Sequence, residues 1–151
     1  MKLAEALIRR ADLQRRLAQL KSRAVDAARI QEGDEAEEDA TALLGDFDRA
    51  ADELEQLIER INVQNLKTEV QNGLTVTAAL AKRDALHQRH GMRVELADAA
   101  ARRSDRLTRS EIKFVAAVNI RDLRQQVDDL AREIRELDNR IQQVNWATEL
   151  A

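Results

Sequence analysis

His87 and His90 stand three residues apart, a spacing that on a helix sets two imidazoles one turn apart on one face, where they can share a metal ion. Asp84 is placed to add an oxygen on the neighbouring column. The paired histidines of zinc-protease helices have a different spacing and an intervening glutamate. A catalytic zinc also takes three protein ligands and an open position, and no third strong ligand is marked here. His87 and His90 are therefore expected to be buried or interfacial and hydrogen-bonded to Arg83, Asp84, Asn62 or Asn65, without metal or cofactor. If both are buried, their protonation would couple assembly to pH. A metal-dependent enzyme built on His87 and His90 is the alternative.

Other chemistry finds little support. The chain has no cysteine, which removes the thiolate nucleophile, the thiolate metal site and the disulfide framework. No serine, histidine and acid arrangement, glycine-rich phosphate loop or dinucleotide fingerprint can be singled out. The acidic run Gln31–Asp39, QEGDEAEED, lacks calcium-loop spacing. Paired arginines at Arg9-Arg10, Arg15-Arg16 and Arg102-Arg103 have no interleaved aromatic residues for base stacking, and the net charge is −3, which argues against a nucleic-acid partner. The chain is not expected to be an enzyme, and no catalytic, cofactor-binding or metal residue is assigned.

The elements that would position these groups are helices. From Asn119 to Val144, Ile120, Leu123, Val127, Leu130, Ile134, Leu137, Ile141 and Val144 recur in alternating steps of three and four, the period of one helical face. Ordering that many residues costs more than one stripe can return, so packed neighbours must cover it. Two earlier segments have wider apolar faces, about 2–30 and about 40–65, and the acidic run joins them as an antiparallel hairpin. Its carboxylates favour the second helix's start. Arg10 is the one charge in the first stripe and is expected near the helix end, reaching solvent along its stem.

At Asn65 the period changes to two, and Asn72-Gly73 marks a β-hairpin over about 66–76. A three-residue loop, Gln71-Asn72-Gly73, with Gly73 left-handed at a bulge, sets Val70 opposite Leu74 and Thr68 opposite Val76. That register alone gives one coherent face. Thr77 is expected to cap a third helix over about 77–103, whose row Leu80, Arg83, His87, His90, Val94, Ala97, Ala101 is polar in the middle. The net basic connection Arg102–Lys113 could complement the acidic run within or between subunits. A third short strand is expected over about 110–118, from alternating Ile112, Phe114, Ala116 and Val118. Asn119 is expected to cap the last helix. There a parallel dimeric coil would set Glu133 against Asp138 of its partner, so packing inside a bundle is preferred. Trp146 near the end reads as a tether or subunit contact.

The fold class that follows is mainly α: an antiparallel four-helix bundle, or long coiled-coil hairpins, with a small β-hairpin and a possible third strand. At 151 residues one domain over 1–151 is expected. Charged residues interrupt the opening segment, which is neither signal peptide nor membrane span, so the cytoplasm is expected and a membrane partner is not.

The opening MKLAEALIRRADLQRRLAQLKSR, the middle RSEIKFVAAVNI and the ending DNRIQQVNWATEL together resemble a family of small bacterial helical proteins labelled septicolysin-like. The resemblance spans essentially the whole chain and carries no established activity or functional residue. Its label implies a membrane-acting cytolysin, held as a further alternative, but no apolar segment is long enough to span and the hairpin is too short for a membrane strand pair. The function expected on the residues is a non-enzymatic, homo-oligomeric scaffold or protein-interaction module.

Overall fold

Among the described residues the three- and four-residue steps produce four helices, α1 Leu3–Asp26, α2 Ala40–Lys67, α3 Val76–Ala101 and α4 Ile120–Ala147, with strands β1 Glu69–Gln71 and β2 Leu74–Thr75 between α2 and α3. The computed structural model describes residues 1–102 and 112–151. The protein is mainly α with a small two-stranded antiparallel sheet. It divides into two compact units, one of Met1–Thr75 with Gln142–Ala151 and one of Val76–Ile141.

In the first unit α1 and α2 form the antiparallel hairpin that their apolar faces require. Leu3, Ala6 and Leu13 close on Leu57, Ile61 and Leu150, while Leu20 packs with Leu43 and Ala50. A cation recurs every seventh residue along α1 and its cap, at Lys2, Arg9, Arg16 and Arg23, flanking the apolar stripe. Lys2 pairs with Glu149 at 2.7 Å, Arg9 with Glu53 at 2.6 Å, and Arg23 with Glu38. Arg16 lines one cleft with Asp46, which stands seven residues before Glu53. Opposed columns of this kind add little per exposed pair but oppose a slipped register. Arg10 departs from expectation: it is half-buried, and its Nε is buried with no hydrogen-bond partner among the described residues.

α1 ends at Asp26 rather than near Ile30. The Ala27 N–H donates to Arg23 O and the Ala28 N–H to Val25 O, tightening the last turn. Ile30 is exposed, so no apolar contact favours another turn. Within the acidic run Glu38 holds Arg23, which pulls the Glu38 carboxyl below its ordinary value and raises Arg23, in each case chiefly through their hydrogen bond. Asp39 caps α2, its carboxylate accepting from Thr41 N at 2.9 Å and Ala42 N at 3.3 Å.

The β-hairpin forms in another register from the expected one. Gln71 pairs with Leu74 and Glu69 with Thr75, so the turn is the two-residue Asn72-Gly73, with φ of 32° and 80°. Positive φ at both central residues is what a primed turn needs, and Asn-Gly meets it at least cost. The irregularity between Glu69 and Gln71 makes Val70 the bulged residue, so the bulge lies in β1 and not at Gly73. It shifts the pairing by one residue and removes the need for a longer loop. The Glu69 carboxylate accepts from Gly73 N at 3.1 Å.

The chain ends meet in this unit. Leu3 N donates to Thr148 O at 2.9 Å and Leu150 N to Met1 O at 2.8 Å, forming a bridge between Lys2 and Glu149. Leu150 is buried among Leu3, Leu57 and Ile61, whereas Trp146 is 54% exposed. The tether is therefore Leu150, not the tryptophan. Glu149 accepts from Lys2 and from the Met1 amino group, and these hydrogen bonds lower its pKa.

In the second unit α3 and α4 run antiparallel. Lys82 pairs with Glu133 at 3.2 Å, Arg83 with Asp138 at 3.3 Å, and Arg124 with Asp98 at 2.7 Å. Arg93 Nε donates to Gln126 at 2.8 Å. Glu133 and Asp138, which would oppose each other in a parallel coil, thus each meet a cation of α3. The α4 stripe faces inward as its period requires: Ile134, Leu137 and Ile141 are buried, and Ile120, Leu123, Val127 and Leu130 are half-buried. The Asn119 side chain caps α4 by accepting from Asp122 N at 3.0 Å. α3 starts at Val76, directly after β2, and Thr77 is an exposed residue inside it rather than its cap.

Two predictions follow from the first unit. Leu13→Ala, at a site 2% exposed, should cost about 2–5 kcal/mol in urea unfolding followed by circular dichroism, while Leu44→Ala, 56% exposed, stays within about 0.5 kcal/mol. Because the folded-state pKa of Glu149 is lowered, its contribution is complete above the ordinary carboxylate range and is lost as pH falls through the lowered value. Glu149→Gln should therefore lower the melting temperature at neutral pH, with the difference from wild type closing below about pH 4.

Candidate functional site

The histidine pair does not form the expected buried site. His87 is exposed and His90 half-buried. α3 turns inward through Ala79, Arg83, Leu86, His90 and Ala97, with Ala79, Leu86 and Ala97 buried, so the expected row drifts outward at His87, where Leu86 takes the inward place. Arg83 reaches Asp138 on α4 and also lies 3.7 Å from Asp84. Asp84 is exposed on the outer face. The proposed link between His87 burial and pH-dependent assembly loses its structural basis. Among the described residues, no group of three or more His, Cys, Asp or Glu side chains is disposed to hold a metal ion.

The feature that packing leaves unexplained lies just before α4. Residues 112–118 form neither helix nor strand, with a bend at Ala117 and Val118; positions 110 and 111 of the expected strand lie outside the described residues. The third strand is thus not formed over 112–118. A strand needs a paired edge, and the chain's sheet consists of β1 and β2 alone among the described residues. What remains is an apolar run facing water: Ile112 is 82% exposed, Phe114 86% and Val115 85%. Phe114 and Val115 border a groove of about 560 Å³ lined also by Leu96, Ala99, Ala100 and Arg102 of the α3 end, with Ala116 to Val118. Met92, one turn before Leu96, is 60% exposed.

Single exposed apolar residues are ordinary, whereas contiguous runs rimmed by charge mark contact surfaces. Here the rim carries Arg102 and Lys113, both exposed. The described lining of the groove is mostly apolar, with Arg102 as its charged residue. Sequence reasoning singled out the alternating run as a short strand, with its pairing within or between chains open. The pattern of α3 marks Ala85, Met92, Leu96 and Ala99 as a second weak apolar stripe but does not connect Leu96 and Ala99 with the run before α4.

Fold and site thus define a mainly helical protein with, among the described residues, four long helices, a β-hairpin and an exposed apolar run before α4. Residues 10–150 match the model of a family of unknown function, DUF6847, and the chain belongs to that family. A crystal structure of a protein from Corynebacterium diphtheriae, described as a functionally unknown conserved protein, is 41% identical, with 100% of this chain and 99% of that chain covered and a TM-score of 0.93. No curated protein matches. The septicolysin-like assignment is overturned by the family match. The segments that suggested it are largely helical faces, and Leu-, Arg- and Gln-rich heptads recur wherever helices pack side by side. Among the described residues no helix is long and apolar enough to cross a membrane.

Since the Phe114 ring is 86% exposed on the single chain, Phe114→Asp should leave urea stability within about 0.5 kcal/mol of wild type at dilutions where both are single chains. The same variant should bind less of a solvatochromic dye such as anilinonaphthalene sulfonate, measured by fluorescence at equal concentration.

Proposed function

We propose that the protein is a non-enzymatic interaction module that assembles with copies of itself through the apolar run 112–116 that precedes α4. The observation that carries this reading is the exposure of Ile112, Phe114 and Val115 together on one run beside Leu96 and Ala99. Leaving three large side chains in water forgoes roughly 1.5–3 kcal/mol each, and association recovers it. The charged helix faces do not compete for this role. Many of their ions pair within each unit, as Arg9 does with Glu53 and Lys82 with Glu133.

The reading is tested by light scattering over a range of concentrations. Wild-type protein should give a mass that is a multiple of the 17.1 kDa chain, and Phe114→Asp should give the single-chain mass with unchanged helical circular dichroism. A single-chain mass for wild type at every concentration would overturn it.

A further inference from the structure

We propose that Asn72 is a self-modification site, at which the Gly73 nitrogen attacks the Asn72 side-chain amide when the hairpin turn opens, and that Glu69 holds the turn against this reaction. Asn72 is one of six asparagines and the only one followed by glycine. The others precede Val63, Leu66, Ile120, Arg140 and Trp146, whose side chains crowd the nitrogen that would attack, and they lie within α2 and α4 or at the cap of α4. At the turn that hindrance is gone. Gly73 carries no side chain, and the space a Cβ would take holds nothing within 4 Å. Asn72 and Gly73 are both exposed, so water reaches the site.

The reaction balances without a cofactor. The Gly73 nitrogen bonds to Asn72 Cγ and closes a five-membered succinimide; the Cγ–Nδ2 bond breaks, and the Gly73 amide proton leaves with Nδ2 as ammonia. Water then opens the ring at either carbonyl, giving aspartate or isoaspartate at position 72. Nucleophile and electrophile are neighbours on one chain, so no encounter has to be organised.

Closing the ring requires rotation about the Cα–C bond of Asn72, and the folded turn fixes that bond. Asn72 and Gly73 hold φ of 32° and 80° between the paired Gln71 and Leu74. The attacking nitrogen is engaged as well, since Gly73 N donates to Glu69 Oε2 at 3.1 Å. A charged acceptor strengthens the closed form, and the reaction therefore proceeds from the minor population in which the turn has opened. Strands as short as Glu69–Gln71 and Leu74–Thr75 place that opening among the easier local motions. The change runs one way. Isoaspartate adds a carbon to a backbone turn built for two residues, and either product sets a second carboxylate beside Glu69, where like charges repel.

Full-length protein is incubated at neutral pH and its peptides are weighed by mass spectrometry. The mass gain of amide converted to acid should appear at Asn72 before any other asparagine, with ammonia released in step, and more slowly than in a free peptide of residues 69–75. Glu69→Ala should raise the rate about threefold or more, the effect of losing a weak hydrogen bond. Glu69→Gln, whose side-chain oxygen still accepts from Gly73 N, should fall between Glu69→Ala and wild type. Gly73→Ala strains a position that needs positive φ and loosens the turn, yet it should slow the reaction, because the added methyl group shields the nitrogen. Conversion first at another asparagine, or none at Asn72 after many half-lives of the free peptide, would overturn the site. A faster reaction in Gly73→Ala would overturn attack by that nitrogen, and an unchanged or lower rate in Glu69→Ala would overturn the hold by Glu69.

Discussion

The antiparallel contact of α1 with α2 is the constraint on which the first unit depends. Leu3, Leu13, Leu57 and Ile61 supply its apolar contacts. Side chains of this size, none more than 6% exposed, are intolerant of a shift along the helix because each occupies space shaped by its neighbours. The cations at Lys2, Arg9 and Arg23 meet carboxylates on the opposite side, so electrostatics and packing specify the same alignment. The β-bridge between the chain ends follows from it, since Leu150 needs the site that Leu3 and Ile61 create.

The second unit uses a different balance. α4 has one coherent stripe, whereas α3 turns Arg83 and His90 toward the inside alongside Leu86 and Ala97. Charge pairing between the helices therefore carries more of the specification there. Adjacent Lys82 and Arg83 reach Glu133 and Asp138 respectively, and Asp98 holds Arg124 nearer the other end of α3. A parallel self-pairing of α4 would forfeit these contacts.

Much of the helical architecture is legible in the chain. The stripe of α4, the hairpin of α1 with α2, the Asn119 cap and the Asn-Gly turn all follow from local spacing. The β-hairpin register does not, because one bulged residue at Val70 shifts the pairing without leaving a compositional mark. The outward turn of His87 is illegible for a related reason. A helix with apolar residues on two sides permits several heptad frames, and only the covering neighbours choose among them. The candidate site is half-legible: alternating Ile112, Phe114, Ala116 and Val118 suggest a strand, but 112–118 forms none, because alternation in a run does not provide an edge to pair with. The likeness to a septicolysin-like family is overturned by the family match; no single motif in the segments that suggested it is diagnostic.

The bridge that joins Met1 and Lys2 to Glu149 and Leu150 sets residues 1–2 beside residues 149–150 within the first unit. A short glycine-rich tether could join the two ends, and new ends could be opened near Gly33, whose φ of 91° belongs to an exposed connection that the α1–α2 core does not use. Such a circular permutant would keep every side chain of that core while reversing the order in which its two rods are synthesised.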